Sequence, residues 1–188
     1  MSAAGGTRIV VAGLGGQGVL FITRLLAEAA LGLGWRALSS ETHGMAQRGG
    51  SVAASLAIGS FHCALALPGT ADLLLALNHG EAARNLGFLG PGGHCLVSAT
   101  QPWTPEAMRA AAAEGIGLHA VDAAGIALGL GAPFLANIAM LGALAAFPFT
   151  PVPHAALENA LRQRSPAGRL EANLAAFEAG LEAGSRAR

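Results

Sequence analysis

The sequence predicts a single α/β domain in three layers, with helices on both faces of a mostly parallel sheet. Short apolar runs bounded by glycine or proline alternate with longer segments of helical periodicity along the 188 residues, which is the pattern of strand–helix–strand crossovers. A glycine-rich turn separates the first apolar run from the first helical segment, giving a Rossmann-like strand, turn and helix. A chain of this length fits one domain, residues 1–188, whose ends at 1–6 and 185–188 are expected to fray.

The first elements are predicted from local patterns. Residues 8–12 (RIVVA) predict a short buried strand, and residues 19–33 predict a helix with apolar side chains at three- and four-residue spacing. Between them, residues 13–18 form the glycine turn. Gly34 is expected to end the helix, because glycine adopts the left-handed conformation that follows many helices. Residues 36–40 predict a second strand.

A β-hairpin is predicted next. Residues 51–58 and 61–67 are two apolar runs joined by Gly59 and Ser60, and a short connection that contains glycine favours a hairpin. A hairpin adds antiparallel pairing, so the predicted sheet is mixed rather than purely parallel.

The rest of the chain adds three strands and several helices. Strands are predicted at 72–77, 94–98 and 118–121, a turn at 91–93, and helices at 81–86, after Thr104, from 123 onward and from Ser165 to about Gly180. Thr104 is followed by proline and glutamate, which favour a helix start.

Composition limits the classes of partner. The formal net charge is zero and every basic residue is arginine, without the basic stripe of a nucleic-acid-binding protein. The apolar stretches are too short to cross a membrane, and the N-terminal residues lack the pattern of a signal peptide, so we expect a cytoplasmic protein. A charged fraction of only 12% indicates either a surface covered by a partner or an alanine-rich composition without functional meaning.

The two cysteines, Cys63 and Cys95, limit the redox chemistry of this chain. An iron–sulfur cluster held by cysteine needs four thiolates, so any redox centre is expected on another chain. We interpret both cysteines as small buried apolar side chains, and expect neither a disulfide nor a metal site.

The glycine turn has two interpretations. Gly13, Gly15 and Gly18 form a G-x-G-x-x-G pattern between a strand and a helix, which is compatible with a phosphate at the helix start or with tight packing. A dinucleotide-binding domain would also carry an acid at the end of the second strand, and Glu41 is the only candidate, placed late. Gln17 adds an amide that can hold a phosphate, a carbonyl or a neighbouring loop.

The polar loop at residues 41–51 (ETHGMAQRGGS) is the most unusual segment of the chain. The planar guanidinium group of Arg48 either binds a phosphate or carboxylate through paired hydrogen bonds or forms an ion pair with Glu41. Gly49 and Gly50 let the main chain approach whatever Arg48 holds. His43 either titrates near neutrality or is satisfied by the backbone.

These segments resemble a known family. Residues 13–19 (GLGGQGV) and 40–52 (SETHGMAQRGGSV) are similar to the beta subunit of indolepyruvate ferredoxin oxidoreductases, the same domain as the gamma subunit of pyruvate and other 2-oxoacid:ferredoxin oxidoreductases. The similarity continues through residues 71–75, Asn137 with 141–143, and 171–180. It departs at residues 78–82 (NHGEA), where family members commonly carry a Glu-Pro-Leu-Glu-Ala-like stretch.

The resemblance implies a gamma-type domain that works as one part of an enzyme. A larger partner chain would bind thiamine diphosphate and iron–sulfur clusters, oxidatively decarboxylate an aryl pyruvate and pass the electrons to ferredoxin. This chain would cover a site associated with coenzyme A and would be inactive alone. No catalytic residue is assigned here. Cofactor contacts are expected from Gly13, Gly15, Gly16, Gln17, Gly18, Arg48, Gly49 and Gly50, and contacts with the partner or active site from Glu41, His43 and Gln47.

Two alternative functions stay open: an assembly or binding module without a direct ligand, and a free-standing NAD-binding oxidoreductase. The sequence also leaves open whether the isolated chain forms a homodimer.

Overall fold

The structure, a computed structural model, describes residues 6–42 and 49–187, and within these ranges six strands form one sheet in the order β2-β3-β1-β4-β5-β6. The strands are β1 Thr7–Leu14, β2 Ala37–Thr42, β3 Ser51–Ile58, β4 Ala71–Ala76, β5 Leu89–Ser98 and β6 Gly117–Val121. β1 lies near the middle of the sheet, so its carboxyl end is central.

The sheet is mixed and mostly parallel, as predicted. β1, β4, β5 and β6 pair in parallel, whereas β3 is antiparallel to both of its neighbours, β1 and β2. The predicted hairpin between residues 51–58 and 61–67 is wrong. All eight residues of β3 pair with β1 and six of them pair with β2, so neither edge of β3 is left for another strand. Residues 61–67 instead cross one face of the sheet, where the Ala66 amide donates to Ser55 Oγ at 3.3 Å.

Helices cover both faces of the sheet and complete the three layers. They are α1 Val19–Gly32, α2 His79–Asn85, α3 Pro105–Ala113, α4 Ala123–Gly129, α5 Ala136–Ala145, α6 His154–Arg164 and α7 Leu170–Arg186. Alternate residues of β1 point to opposite faces. Ile9 and Val11 join the core under α1 and α4–α7, while Val10 and Ala12 join the core under α2 and α3. In the described residues, no helix is long and apolar enough to span a membrane.

The last helix continues beyond the predicted end at Gly180, to Arg186. Gly180 and Gly184 do not end α7, because they lie where α7 crosses α5. A Cβ atom on Gly180 would collide with the carbonyl oxygen of Ala139, and one on Gly184 would press on Ala143. Glycine here lets two helices approach closely, and the packing against α5 continues past the predicted end.

Two other predictions from local sequence signals, a helix start and a turn, have different outcomes. The start of α3 is confirmed, since the Thr104 hydroxyl caps it by accepting from the Ala107 amide at 3.2 Å. The predicted turn at 91–93 is instead an irregularity within β5, which begins at Leu89 and shifts register against β4 between Ala71 and Leu73.

Candidate functional site

The candidate site lies at the carboxyl end of β1 and β4. The helix that follows β1 packs on one face of the sheet and the helix that follows β4 packs on the other, so the two connections diverge and leave a crevice between the strand ends. Open α/β sheets bind ligands at such a switch point. The glycine turn, residues 13–18, forms one wall of this crevice.

Gln17 fills the bottom of the crevice. Its Oε1 accepts from the Leu14 amide at 2.7 Å and from Asn78 Nδ2 at 2.9 Å, and its Nε2 donates to the Leu77 carbonyl at 3.4 Å. One side chain thus joins the ends of both strands. Of the roles expected for Gln17, contact with a carbonyl and with a neighbouring loop is observed.

Asn78 occupies the first position at which the sequence departs from the pattern of the family it resembles. Its Oδ1 accepts from the Glu81 amide at 3.0 Å and caps α2, while its Nδ2 donates to Gln17. A carboxylate at position 78 could cap the helix but could not donate to Gln17 Oε1. The amide of Asn78 therefore suits this particular crevice.

The end of the polar loop rests on the glycine turn. The Gly15 amide donates to the Gly50 carbonyl at 2.8 Å, and the Gly49 amide donates to the Gly15 carbonyl at 3.3 Å. The structure therefore brings together the two segments that the sequence singled out. His43, Gln47 and Arg48 lie outside the described residues, so their expected contacts stay predictions.

The glycines of the turn serve different purposes. Gly16 has φ +99°, is exposed, and a Cβ atom there would meet nothing within 4 Å. Gly18 has φ +86°, and a Cβ atom there would collide with Asn137 Nδ2 of α5. Gly13 is buried, and its Cβ would lie 2.9 Å from Val19 Cγ2. Gly13 and Gly18 therefore allow packing, whereas Gly16 leaves open space.

An open cleft of about 310 Å³ adjoins Gly16. It is lined mainly by Gly16, Gln17, Leu77, Ser98, Phe134 and Asn137. Sequence reasoning missed Ser98 and Phe134 as lining residues, because they come from β5 and from the segment before α5 and meet the turn only in the fold. Ser98, the last residue of a strand next to β4, carried a signal in its position at the carboxyl edge.

Glu41, the one candidate for a dinucleotide-binding acid, is distant from the crevice in the sheet. It lies in β2, at the level of Ala54 of β3, and Ala54 in turn faces Val11 of β1. Two strand spacings, about 10 Å, separate β2 from β1, and Glu41 forms an ion pair with Arg24 at 3.9 Å. This arrangement does not favour the NAD-binding alternative.

A buried carboxylate beside the turn was also missed. Glu81 is only 2% exposed, and Ser51 Oγ donates to its Oε2 at 2.5 Å, while Arg84 lies 3.7 Å from its Oε1. Ser51 follows Gly50 directly, so this bond holds the end of the polar loop against α2. A glutamate in the first turn of a helix after a strand was the available signal.

The two cysteines differ in their exposure to solvent. Cys95 is fully buried in β5, and burial raises the pKa of its thiol to about 12, so it is an unreactive core side chain. Cys63 is exposed, so the expectation that both are buried is wrong for Cys63: residues 61–67 cross a sheet face rather than forming an inner strand. Across residues 6–42 and 49–187, no three His, Cys, Asp or Glu side chains converge in a metal-binding group.

Together, the switch-point crevice, the glycine turn and the docking of Gly49 and Gly50 on that turn define the class: an α/β domain with a candidate ligand-binding edge. Residues 8–183 match the family model described as pyruvate ferredoxin/flavodoxin oxidoreductase. The chain belongs to this family, and it is a small subunit of the 2-oxoacid:ferredoxin oxidoreductase type.

Relatives support the assignment over most of the chain. The indolepyruvate oxidoreductase subunit IorB of Methanothermobacter thermautotrophicus is 33% identical, with 93% of this chain and 96% of that protein covered. The subunit of the same name from Thermococcus kodakarensis is 32% identical, with 93% and 94% covered. The 2-oxoglutarate synthase subunit KorC of M. thermautotrophicus is 30% identical over 93% of both chains.

Solved structures share the fold. The gamma subunit of a keto/oxoacid ferredoxin oxidoreductase from Geobacter sulfurreducens superposes with a TM-score of 0.77 at 28% identity, covering 96% of this chain and 99% of that one. A 2-oxoglutarate:ferredoxin oxidoreductase from Magnetococcus marinus, described with 2-oxoglutarate, coenzyme A and succinyl-CoA bound, gives 0.78 at 22% identity. This chain covers 96% of its own length but only 31% of that longer chain, so there the same fold is part of a larger polypeptide.

Proposed function

We propose that this chain forms one wall of a coenzyme A site in a complex that oxidatively decarboxylates an aryl pyruvate of the indolepyruvate class, releasing carbon dioxide, passing two electrons to the acceptor and forming an acyl-CoA. The observation that carries the proposal is the docking of Gly49 and Gly50 on Gly15 beside an open cleft. The substrate class rests on the IorB relatives, which are named for indolepyruvate.

The larger partner chain is proposed to hold thiamine diphosphate and the iron–sulfur clusters, and to pass electrons to ferredoxin. The whole sequence has two cysteines, and one of them, Cys95, is sealed in the core. The four thiolates of a cluster must therefore come from another polypeptide. We propose the cytoplasm as the location of this complex.

The glycine turn fits the anionic part of coenzyme A. In the described residues, the amides of Gly16 and Gly18 make no main-chain hydrogen bond, and the space beside Gly16 is open. Free amides at the start of a helix attract phosphate, because they carry the positive end of the helix dipole. Arg48, next to the docked Gly49, would supply a countercharge. When bound, coenzyme A provides the thiol that accepts the acyl group.

The size of the cleft favours a shared site. About 310 Å³ lies at the lower end of the range for small-ligand pockets, so this chain would hold one part of the cofactor and its partner the rest. A site of this kind is complete only in the assembled enzyme.

Arg48→Ala in the reconstituted complex tests the proposal. Loss of a charge-assisted hydrogen bond should raise the KM for coenzyme A about tenfold or more. The matched control is Arg36→Ala, because Arg36 is an exposed arginine that precedes β2 at the opposite edge of the sheet. Equal KM values for the two variants would overturn the role of Arg48.

Gln17→Glu is a second, independent variant. Glutamate can still accept from the Leu14 amide and from Asn78 and loses only the long 3.4 Å bond to the Leu77 carbonyl, while its negative charge should repel a phosphate. We expect a raised KM for coenzyme A with little change in stability.

A second candidate function, assembly without a ligand, is favoured by one observation. The amides of Gly15 and Gln17 already bond within the protein, to Gly50 and Leu14, so part of the turn is saturated. Titrating the purified complex with coenzyme A separates the two proposals. If Arg48→Ala weakens association of the subunits and leaves the affinity for coenzyme A unchanged, the assembly function is correct.

A further inference from the structure

A pair of histidines lies away from the candidate cleft. His94 of β5 and His119 of β6 lie on the same face of the sheet, with His94 Nδ1 3.3 Å from His119 Nε2. In the parallel register His94 is opposite Gly117, and His119 is opposite Leu96. The two imidazoles are therefore diagonal neighbours on adjacent strands.

Gly117 makes room for the pair. A Cβ atom on Gly117 would collide with His94 Nδ1 and lie 3.1 Å from His119 Nε2. Any other residue at position 117 would therefore occupy the space between the two nitrogens.

Two phenylalanines fix the rings. Phe149 stacks on His94 with a centroid distance of 4.2 Å and an interplanar angle of 10°, and Phe147 lies 4.8 Å from His119. Phe147 and Phe149 also stack on each other at 4.9 Å. Phe149 therefore packs flat against the His94 ring, while the His119 ring contacts Phe147 and Phe149 at tilts of 59° and 38°.

We propose that His94 and His119 chelate a divalent transition-metal ion. Without a metal ion, one nitrogen of the pair donates its proton to the other, and the tautomers decide which is the donor. A metal ion in place of that proton would engage both lone pairs. With metal–nitrogen distances of about 2.1 Å, a separation of 3.3 Å gives an angle of about 105° at the metal, close to the tetrahedral value.

Imidazole nitrogens select the class of metal. They suit zinc, copper and nickel ions, whereas magnesium and calcium prefer oxygen ligands. No third His, Cys, Asp or Glu joins the pair within the described ranges, so water completes the coordination and the ion exchanges readily. The site is separate from the cleft, because Ser98, the nearest cleft residue on β5, is four positions from His94, about 13 Å along the strand.

The chain offers a matched pair of variants for the test. It has six histidines, so one variant replaces His43, His62, His79 and His154 with alanine and keeps the pair, while the other carries only His94→Phe and His119→Phe. Phenylalanine preserves the ring stacking. Zinc binding to the full chain is measured by isothermal titration, with magnesium as the control ion and thermal unfolding to verify the fold.

We expect the first variant to bind one zinc ion per chain with the affinity of the wild type. The second variant should bind zinc at least tenfold more weakly. If the phenylalanine variant does not fold, copper(II) added to the first variant decides the question, since its electron paramagnetic resonance spectrum should show coupling to two nitrogens. Zinc affinity that is unchanged in the phenylalanine variant, or a copper spectrum without nitrogen coupling, overturns the proposal.

Discussion

Asn78 Nδ2 donates to Gln17 Oε1 at 2.9 Å across the crevice between β1 and β4. This bond joins the segments that leave two adjacent strands for opposite faces of the sheet. Because Gln17 also accepts from the Leu14 amide, a side chain inside the glycine motif holds the carboxyl ends of β1 and β4 together. Within the glycine motif, Gln17 therefore has a structural role, whereas Gly16 borders open space.

Replacing Gln17 with alanine should destabilise the fold. The substitution leaves the partly buried Leu14 amide and Asn78 Nδ2 without their acceptor, and an unsatisfied buried donor costs about 1–3 kcal/mol. Gln17→Glu keeps the acceptor and should lie closer to the wild type. Urea unfolding of the two variants measures this difference, and equal free energies of unfolding would show that Gln17 does not hold the crevice.

Gly180→Ala should destabilise the packing of α7 on α5. The new Cβ would collide with the Ala139 carbonyl oxygen, and relieving such a contact costs about 1–3 kcal/mol. Gly129→Ala in α4 is the control, because a Cβ there meets nothing within 4 Å. In thermal unfolding the control should match or exceed the wild type, and a Gly180→Ala variant as stable as the control would contradict the close crossing.

The free energy of unfolding should fall in mild acid because of His94 and His119. Burial lowers the pKa of His94, and burial followed by the charge of His94 lowers the pKa of His119, from the ordinary value of 6.5. Below 6.5 the unfolded chain therefore binds protons that the folded chain does not. This contribution of the two histidines to the free energy of unfolding is fully present above pH 6.5. It is lost as the pH falls through their lowered pKa values.

His94→Phe combined with His119→Phe tests this pH dependence. Urea unfolding between about pH 7 and about pH 5 should show a smaller loss of stability in this variant than in the wild type. If the free energy of unfolding falls equally in both proteins, the acid sensitivity comes from other groups.

The isolated chain should show neither iron–sulfur absorbance nor turnover of indolepyruvate. Two cysteines cannot supply the four thiolates of a cluster, and the proposed site is shared with a partner. Anaerobic purification of the chain alone, followed by visible spectroscopy and an activity assay, checks both points. A brown, active single chain would show that the division of labour is wrong.

Local signals predicted much of this fold. The strand, turn and helix at residues 7–32 and the Thr104 cap depend on neighbours in sequence, so spacing alone identified them. The hairpin failed because pairing of β3 depends on β1 and β2, which no local pattern specifies. Gly180 was assigned as a helix end for the same reason, since its contact with Ala139 is distant in sequence.

The site was predicted only in part. The glycine turn and Gly49–Gly50 were identified by composition, and the structure shows them in contact. Asn137, known from sequence only through the resemblance, lies against Gly18 because α5 returns to the sheet edge. Ser98 and Phe134 complete the cleft through contacts that only the tertiary structure creates.

The antiparallel pairing of β3 with β2 has a consequence for substitutions in the segment that connects these two strands. Residues 43–48 lie in sequence between β2, which ends at Thr42, and β3, which begins at Ser51 and is the antiparallel neighbour of β2. We therefore expect that substitutions among these residues leave the register of both strands unchanged. Under the proposed function, replacing residues 43–48 with those of a relative should change the KM for coenzyme A and leave the free energy of unfolding close to that of the wild type.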